Sequence, residues 1–491
     1  MAAVGAQPER RFDHLREHSI GLPQVLFQSI THMAPAAAVA YSLLLSVFNA
    51  GPVLPLAVLL ALVACLLAAS SIGQLAREMP SAGGLYTYSA RTLGPETGFF
   101  VAWLFLLFEP LVAPFLFLEG GGAIRDVFQT EVGWHYTGQW WIWVVALAAI
   151  VFLLTYRDVR ISANAGLILG LFEIAVFAAL AIWMLISNGE HLNLAAFNPD
   201  HSGNGWTGVF KGMVFAILAF IGFEAAAPLG EEARNPRRTV PRAVVYSCLA
   251  IGLFYLLASY AWVYGAGFDG FVNQATSSAD PWRALAKVFW AGGWVLVFVA
   301  IVNSIIANSN AGFNAATRVF YAMARNGAAP APLARTHPQF KTPHVAIVVN
   351  TFIAVALSMI LGWKWGPLNG FYMLATAATI VVILVYMLVM LGCGAYYYRA
   401  GRFRPLLHGL FPLGGIVLFA FPLYYQFHPI PSAPINYAVW WAVGWVGLGI
   451  VVTLLMRQTR PEALRAARQI YVEDEYFPGA AAPVHYGEQP T

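Results

Sequence analysis

Apolar runs of roughly 18–25 residues, each long enough to cross a bilayer, recur about twelve times along this chain. They lie near 25–48, 53–75, 85–118, 140–156, 163–186, 209–230, 241–264, 290–319, 344–362, 368–398, 409–427 and 437–456. Hydrophobic residues make up 59% of the 491 positions and charged residues only 10%, with a mean hydropathy of +0.66. Soluble domains carry roughly 25% charged residues, and no single core absorbs this much apolar sequence. The expected fold class is therefore an all-α polytopic membrane protein with about twelve transmembrane helices. The lipid bilayer is its first partner.

The placement of charge tests that count. With the N-terminus inside, all of the 27 Lys and Arg except Arg125, Lys211, Arg283, Lys287 and Lys364 fall on the inner side, as the positive-inside rule requires. A wrong helix number would scramble the alternation. Both termini are thus expected in the cytoplasm: a segment over 1–24, a membrane domain over 25–457 and a tail over 458–491. Residues up to Arg16 are basic, but the apolar run that follows is too long for a cleavable signal. Cys65, Cys248 and Cys393 lie in or beside apolar runs without CxxC or Cys/His spacing, so neither a disulfide frame nor a metal site is expected. No cofactor and no nucleic-acid partner is expected either, and nothing sets an oligomeric state.

Within this uniform pattern one stretch breaks its own rule. In 210–244, FKGMVFAILAFIGFEAAAPLGEEARNPRRTVPRAV, an apolar helix meets Ile221, Gly222, Phe223 and Glu224, then Pro228 and a polar block. Gly and Pro are tolerated in membrane helices because neighbours re-satisfy the freed backbone. Combined with an acid at mid-membrane, an interrupted helix points to a transport site. A second interruption lies in the first run, at His32 and Pro35 in SITHMAPAAAVAYS. Pro35 removes a backbone donor and frees a carbonyl one turn earlier. The small residues from Ala34 to Ala38 let a ligand touch the main chain, or serve close helix packing. The two interruptions stand five helices apart, as inverted five-helix repeats demand.

FIGFEAAAPLGEEARNPRRTVPRA (220–243) resembles the sixth-helix signature of amino acid permeases of the amino acid–polyamine–organocation (APC) superfamily. REMPSAGGLYTYSARTLGPETGFFVAW (77–103) is similar to that family's loop and third-helix opening, and RVFYAMARNGAAPAPLARTHPQFKTPHVAI (318–347) to its loop after the eighth helix. The resemblance implies an APC-type fold: inverted repeats over about 25–186 and 209–398, plus two further helices over about 409–456. It also implies alternating access with substrate held at unwound segments of helices one and six. In the family a glycine-rich GSGI-type segment cradles the substrate carboxylate; here HMAPAAA stands in its place. On this basis the expected substrate-binding residues are Met33, Ala34, Ala36, Ala37, Phe220, Ile221, Gly222, Phe223 and Glu224. Free N–H groups near 33–37 would meet a carboxylate, and carbonyls near 220–223 an amino group.

Four acids fall inside apolar runs: Glu109, Glu119, Glu173 and Glu224. A charge at the bilayer centre costs about 2.5–3.5 kcal/mol on insertion scales, so each should be protonated, paired or facing water. Glu224 is expected to line the cavity. Glu173 stands where some proton-coupled relatives carry a lysine; it either carries a proton through the cycle or bonds to a neighbouring helix. His32 is a second candidate for proton coupling, or else a packed neutral imidazole. Glu119, before three glycines, is expected at the outer mouth, and Glu109 has no assignment. In the eighth helix Ser304 and Ser309 could hold a coupling cation as hydroxyls do in sodium-coupled relatives, or act as polar glue. The Glu231-Glu232…Arg237-Arg238 block is expected to be a solvated loop with weak surface pairs, or a gate built from ion pairs.

The function expected is secondary active import of amino acids, driven by protons. The alternatives are an amine or polyamine transporter of the same fold, or an amino acid exchanger. No HExxH, GxSxG or paired histidines support an enzyme, and no repeated filter or ring of charges supports a channel.

Overall fold

A computed structural model describes residues 15, 17–134, 139–157, 159–277 and 280–468. The expected soluble segments before residue 15 and after residue 468 lie outside the described residues. Ten helical stretches among these residues are long and apolar enough to cross a membrane. The first, Leu22–Glu78, divides at Gly51–Val53, where Gly51 takes φ +59°, a conformation that glycine alone adopts without steric cost. Counting that division and the shorter apolar helix Trp140–Tyr156 gives the twelve expected helices.

In chain order, α1 is broken into Leu22–His32 and an arm that starts at Pro35–Ala37 and runs through Ala38–Ser42 to Leu43–Ala50. Then come α2 (Leu54–Glu78), α3 (Pro95–Thr130), α4 (Trp140–Tyr156) and α5 (Val159–Ser187). The sixth, α6, is a helix over Gly205–Phe220 and a 3₁₀ arm over Phe223–Leu229. It is followed by α7 (Pro236–Gly265), α8 (Trp294–Arg325), α9 (His344–Trp365), α10 (Pro367–Arg399), α11 (Phe411–Phe427) and α12 (Ile435–Thr459). The third expected run proves to be two elements, a short helix Leu85–Thr92 and then α3, which absorbs Pro110 and Pro114 without breaking.

The broken helices sit at the centre. The first arm of α1 packs on α5, α7 and α8, and its second arm packs on α6. Around them α2 lies along α7, and α3 along α8 and α10. The outer helices turn apolar side chains outward, among them Leu153, Ile186, Phe352, Leu413 and Leu454, as a lipid-facing surface must. Where α12 meets α3, Trp103 and Trp445 stack at 4.6 Å. Each indole N–H donates to the other residue's carbonyl, at 3.0 and 2.9 Å. Both polar tips of this interface are thereby satisfied without water.

At the end where the segment before α1 lies, the polar block after α6 is not a solvated loop. Glu231 and Glu232 are buried, and their partners are not the nearby Arg237 and Arg238 but two arginines of α8. Arg318 donates to Glu232 through Nε (2.8 Å) and Nη2 (3.2 Å), and Arg325 to Glu231 through Nη2 (2.7 Å) and Nη1 (3.0 Å). Both are fork-to-fork pairs, the strongest arginine–carboxylate geometry. The chain before α1 is laid across them: the N–H groups of Ser19 and Ile20 donate to the Glu232 carbonyl, and Arg234 N–H returns to the Ile20 carbonyl. This end is closed by α8, the loop after α6 and the segment leading into α1. At the opposite end, Arg283 and Lys287 of the short helix Pro281–Trp290 both reach Glu131, just beyond α3. The Lys287 hydrogen bond holds that carboxyl below its usual range.

Candidate functional site: two broken helices around a buried pocket

Each break follows from local chemistry. Proline disfavours the α region for the residue before it, and Ala34, ahead of Pro35, takes the left-handed conformation (φ 48°, ψ 63°). Alanine has the smallest side chain that pays this cost, about 1–2 kcal/mol. The helix ends at His32, two residues earlier than proline alone would dictate. It resumes over Pro35–Ala37 and passes into a π turn over Ala38–Ser42, a widening the sequence does not announce. In α6 the break is at Ile221 (ψ 127°) and Gly222 (φ +118°). A Cβ at Gly222 would stand 2.7 Å from the carbonyl carbon and oxygen of His32. The two breaks therefore touch, and only glycine permits the contact.

Side chains from elsewhere tie the breaks together. Ser29 donates to the Phe223 carbonyl (2.7 Å) and accepts from Ala226 N–H (3.0 Å), linking the first arm of α1 to the second arm of α6. The Tyr255 hydroxyl of α7 lies within hydrogen-bond reach of the carbonyls of Met33 and of Ala219, the latter at 2.9 Å. It carries one hydrogen for two acceptors, so it spans the breaks rather than saturating either.

Several of the backbone donors at the breaks are occupied from within the chain. Ala36 N–H donates to the Glu173 carboxylate of α5 (3.1 Å), and Ala37 N–H to the Ser304 hydroxyl of α8 (3.2 Å). These groups cap the second arm of α1, whose exposed N–H groups and dipole favour an acid at that position. In α6, Gly222 N–H donates to Glu224 Oε2 (3.1 Å), which also accepts from the Tyr386 hydroxyl of α10 (2.7 Å). Glu109, unassigned from sequence, brings Oε2 to 3.1 Å from His32 Nε2, with both side chains fully buried. His32 thus joins α1 to α3 at the end of a helical arm, where the dipole suits a cation.

A narrow pocket opens between the breaks. Met33, Ala34, Ala37 and Ala38 of α1 and Ile221 of α6 form one side, and Val112, Phe115, Leu116 and Glu119 of α3 face them. His32, Ser42, Leu218 and Asn308 complete the wall. Of the nine expected binding residues, Met33, Ala34, Ala37 and Ile221 line it. Ala36, Phe220, Gly222, Phe223 and Glu224 stand behind that wall. Phe220 packs edge-on to Tyr255 and Phe223 against Tyr386, while Glu224 caps Gly222 instead of facing the cavity. Glu119 stands in the pocket wall. Ser304 is engaged at the break, whereas Ser309 Oγ is buried without a protein partner. Among the described residues no cluster of His, Cys, Asp or Glu could hold a metal ion.

Ser29, Tyr255 and Tyr386 carry structural roles that sequence reasoning missed. The available signal was weak: single polar side chains in otherwise apolar runs.

Residues 20–453 match the family model described as Amino acid permease. The chain belongs to the amino acid permease family. Among curated relatives, this permease is 28% identical over 308 residues to the low-affinity putrescine importer PlaP of Escherichia coli (strain K12). That match covers 61% of this chain and 66% of the importer, just under two thirds of its length. It is 27% identical over 336 residues to the branched-chain amino acid permease BcaP of Bacillus subtilis (strain 168), covering 64% of this chain and 68% of that protein. To the glutamate/serine transporter AimA of the same organism it is 25% identical over 391 residues, covering 75% and 70%. All three relatives are named as carriers of small solutes with amino groups.

Proposed function

We propose that this permease is a proton-coupled secondary importer that carries a small amino-bearing solute through the pocket between the two breaks. One observation carries the reading: residues from both interruptions, Met33, Ala34 and Ala37 on one and Ile221 on the other, form a single buried cavity wall. Rocking of one broken helix past the other then changes which end of the cavity is open, the geometry alternating access needs. The breaks occupy matching places in the two five-helix repeats we assign to about 25–186 and 209–398, with the helices after 409 accessory to them. The arginine-rich end with its Glu231 and Glu232 pairs is assigned to the cytoplasm, together with both termini, on the positive-inside rule. The relatives' names, spanning a diamine and several amino acids, support the common amino group and leave the rest of the solute open.

Glu173 is the coupling group in this reading. It is wholly buried, and its carboxylate holds the Ala36 N–H at the head of the mobile arm, so gaining or losing a proton alters its grip on the break. His32, bridged to Glu109, is the second titratable group at the same break. One proton entering with the solute adds about 2.3 kcal/mol per 100 mV to the driving force, a factor of tens in accumulation. The Glu173→Gln variant is expected to keep solute counterflow in proteoliposomes and to lose accumulation driven by an acid-outside gradient. Accumulation equal to that of the parent protein would remove Glu173 from the coupling step.

A further inference from the structure

We propose, resting on the transporter reading above, that the solute is an organic amine without a carboxylate. Two independent observations lead there. The first concerns donors. A substrate carboxylate needs free N–H groups, but at the breaks those of Ala36, Ala37, Gly222 and Ala226 already bond to Glu173, Ser304, Glu224 and Ser29. To reach the head of the second arm of α1, an incoming carboxylate would have to displace one already buried there, or sit beside it. Two carboxylates sharing a water-poor site repel strongly.

The second concerns acceptors. Glu119 lines the pocket, is 6% exposed, and its Oε1 has no protein partner. Asn308, 5% exposed and in the same wall, leaves its Oδ1 without a partner as well. Among the described residues no Lys or Arg lines the pocket, and the one cation-capable side chain among them in the wall, His32, is already against Glu109. The charged group left without a counter-charge in this wall is an acceptor, Glu119; the donors there, the Ser42 hydroxyl and the Asn308 amide, are neutral. An ammonium group supplies what is missing: up to three N–H donors and a positive charge opposite Glu119, in a charge-assisted bond. The remaining wall, with Met33, Val112, Phe115, Leu116 and Ile221, is apolar and matches the alkyl part of such a solute. Glu119 binds the ammonium, and the chain's own Glu173 fills the place a substrate carboxylate would take.

The test uses pairs of solutes that differ only by the carboxylate: 3-methylbutylamine against leucine, and 1,4-diaminobutane against ornithine. Each is presented to the purified full-length protein for thermal stabilisation and to proteoliposomes for uptake. The expected result is stabilisation and uptake with at least one amine and with neither parent amino acid. Amino acids binding as well as or better than their amines would overturn this inference and leave the transporter reading standing. Response to none of the four would overturn both. Glu119→Gln is expected to weaken amine binding at least about tenfold, with Glu119→Asp recovering part of the loss. The unliganded melting temperature and the elution profile identify a variant that has misfolded. A folded Glu119→Gln protein that binds amine as tightly as the parent would overturn the assignment of Glu119.

Discussion

Replacing Gly222 by alanine is expected to abolish transport. The backbone at Gly222 has φ +118°, a region closed to residues with a Cβ at a cost of about 1–3 kcal/mol. Space adds to this. The new methyl would lie 2.6 Å from the His32 ring and 2.7 Å from the His32 carbonyl carbon and oxygen. Backbone cannot yield there as a flexible side-chain tip would. Relief requires moving the two breaks apart, and that parts the Ala34 and Ile221 sides of the pocket. Strain and clash together correspond to a loss of more than about tenfold in the initial uptake rate, measured in proteoliposomes at matched protein density. Gly447 in α12 is the comparison: a Cβ there meets nothing within 4 Å, and Gly447→Ala should transport normally. Uptake by Gly222→Ala at the parent rate would show that the contact between the breaks is dispensable.

The second large effect is expected at the closed end. Arg318 and Glu232 are 0% and 1% exposed at the side chain. Arg318 also donates to Asn314 Oδ1 at 3.0 Å. Substituting Arg318→Met leaves the Glu232 carboxylate buried without its counter-charge, which costs about 3–5 kcal/mol. The melting temperature of the purified protein should fall by at least about 5 °C. Adding Glu232→Gln to the same chain removes the orphaned charge and should restore most of the loss. The exposed pair of Arg402 and Glu78, with the arginine 54% exposed, is worth about 0–1 kcal/mol, so Arg402→Met should barely register. Equal melting temperatures for Arg318→Met and the parent would contradict a structural role for the buried pair.

The helix number and the two breaks were legible because their causes are local. Twelve apolar runs announce twelve helices, and Pro35 and Gly222 disrupt backbone within a residue or two of themselves. Partnerships across the fold were not legible. Glu231 and Glu232 have Arg237 and Arg238 within a few residues, which suggested surface pairing, yet their partners are 94 and 86 positions away. Ser29 and Phe223 are 194 positions apart and Met33 and Tyr255 222 apart. A lone serine or tyrosine in an apolar run carries no periodicity to reveal such a reach. The same limit explains the site residues. Broken helices predict free N–H groups at 33–37, but which acceptor takes them depends on how α5 and α8 lie against α1. That packing brings Glu173 and Ser304 to the Ala36 and Ala37 donors. It also turns Glu119 into the pocket wall and places Glu224 behind it.

The central claim is that the cavity between the breaks is where the solute is held. Ala38, small and in the pocket wall, can be replaced by cysteine. The native Cys65, Cys248 and Cys393 are buried and give little background to a thiol reagent. The decisive measurement is the alkylation rate of Ala38→Cys in the purified protein, with and without a saturating concentration of a solute that the same preparation accumulates in liposomes. The account predicts that the solute slows alkylation severalfold. A rate unchanged by every transported solute would contradict it.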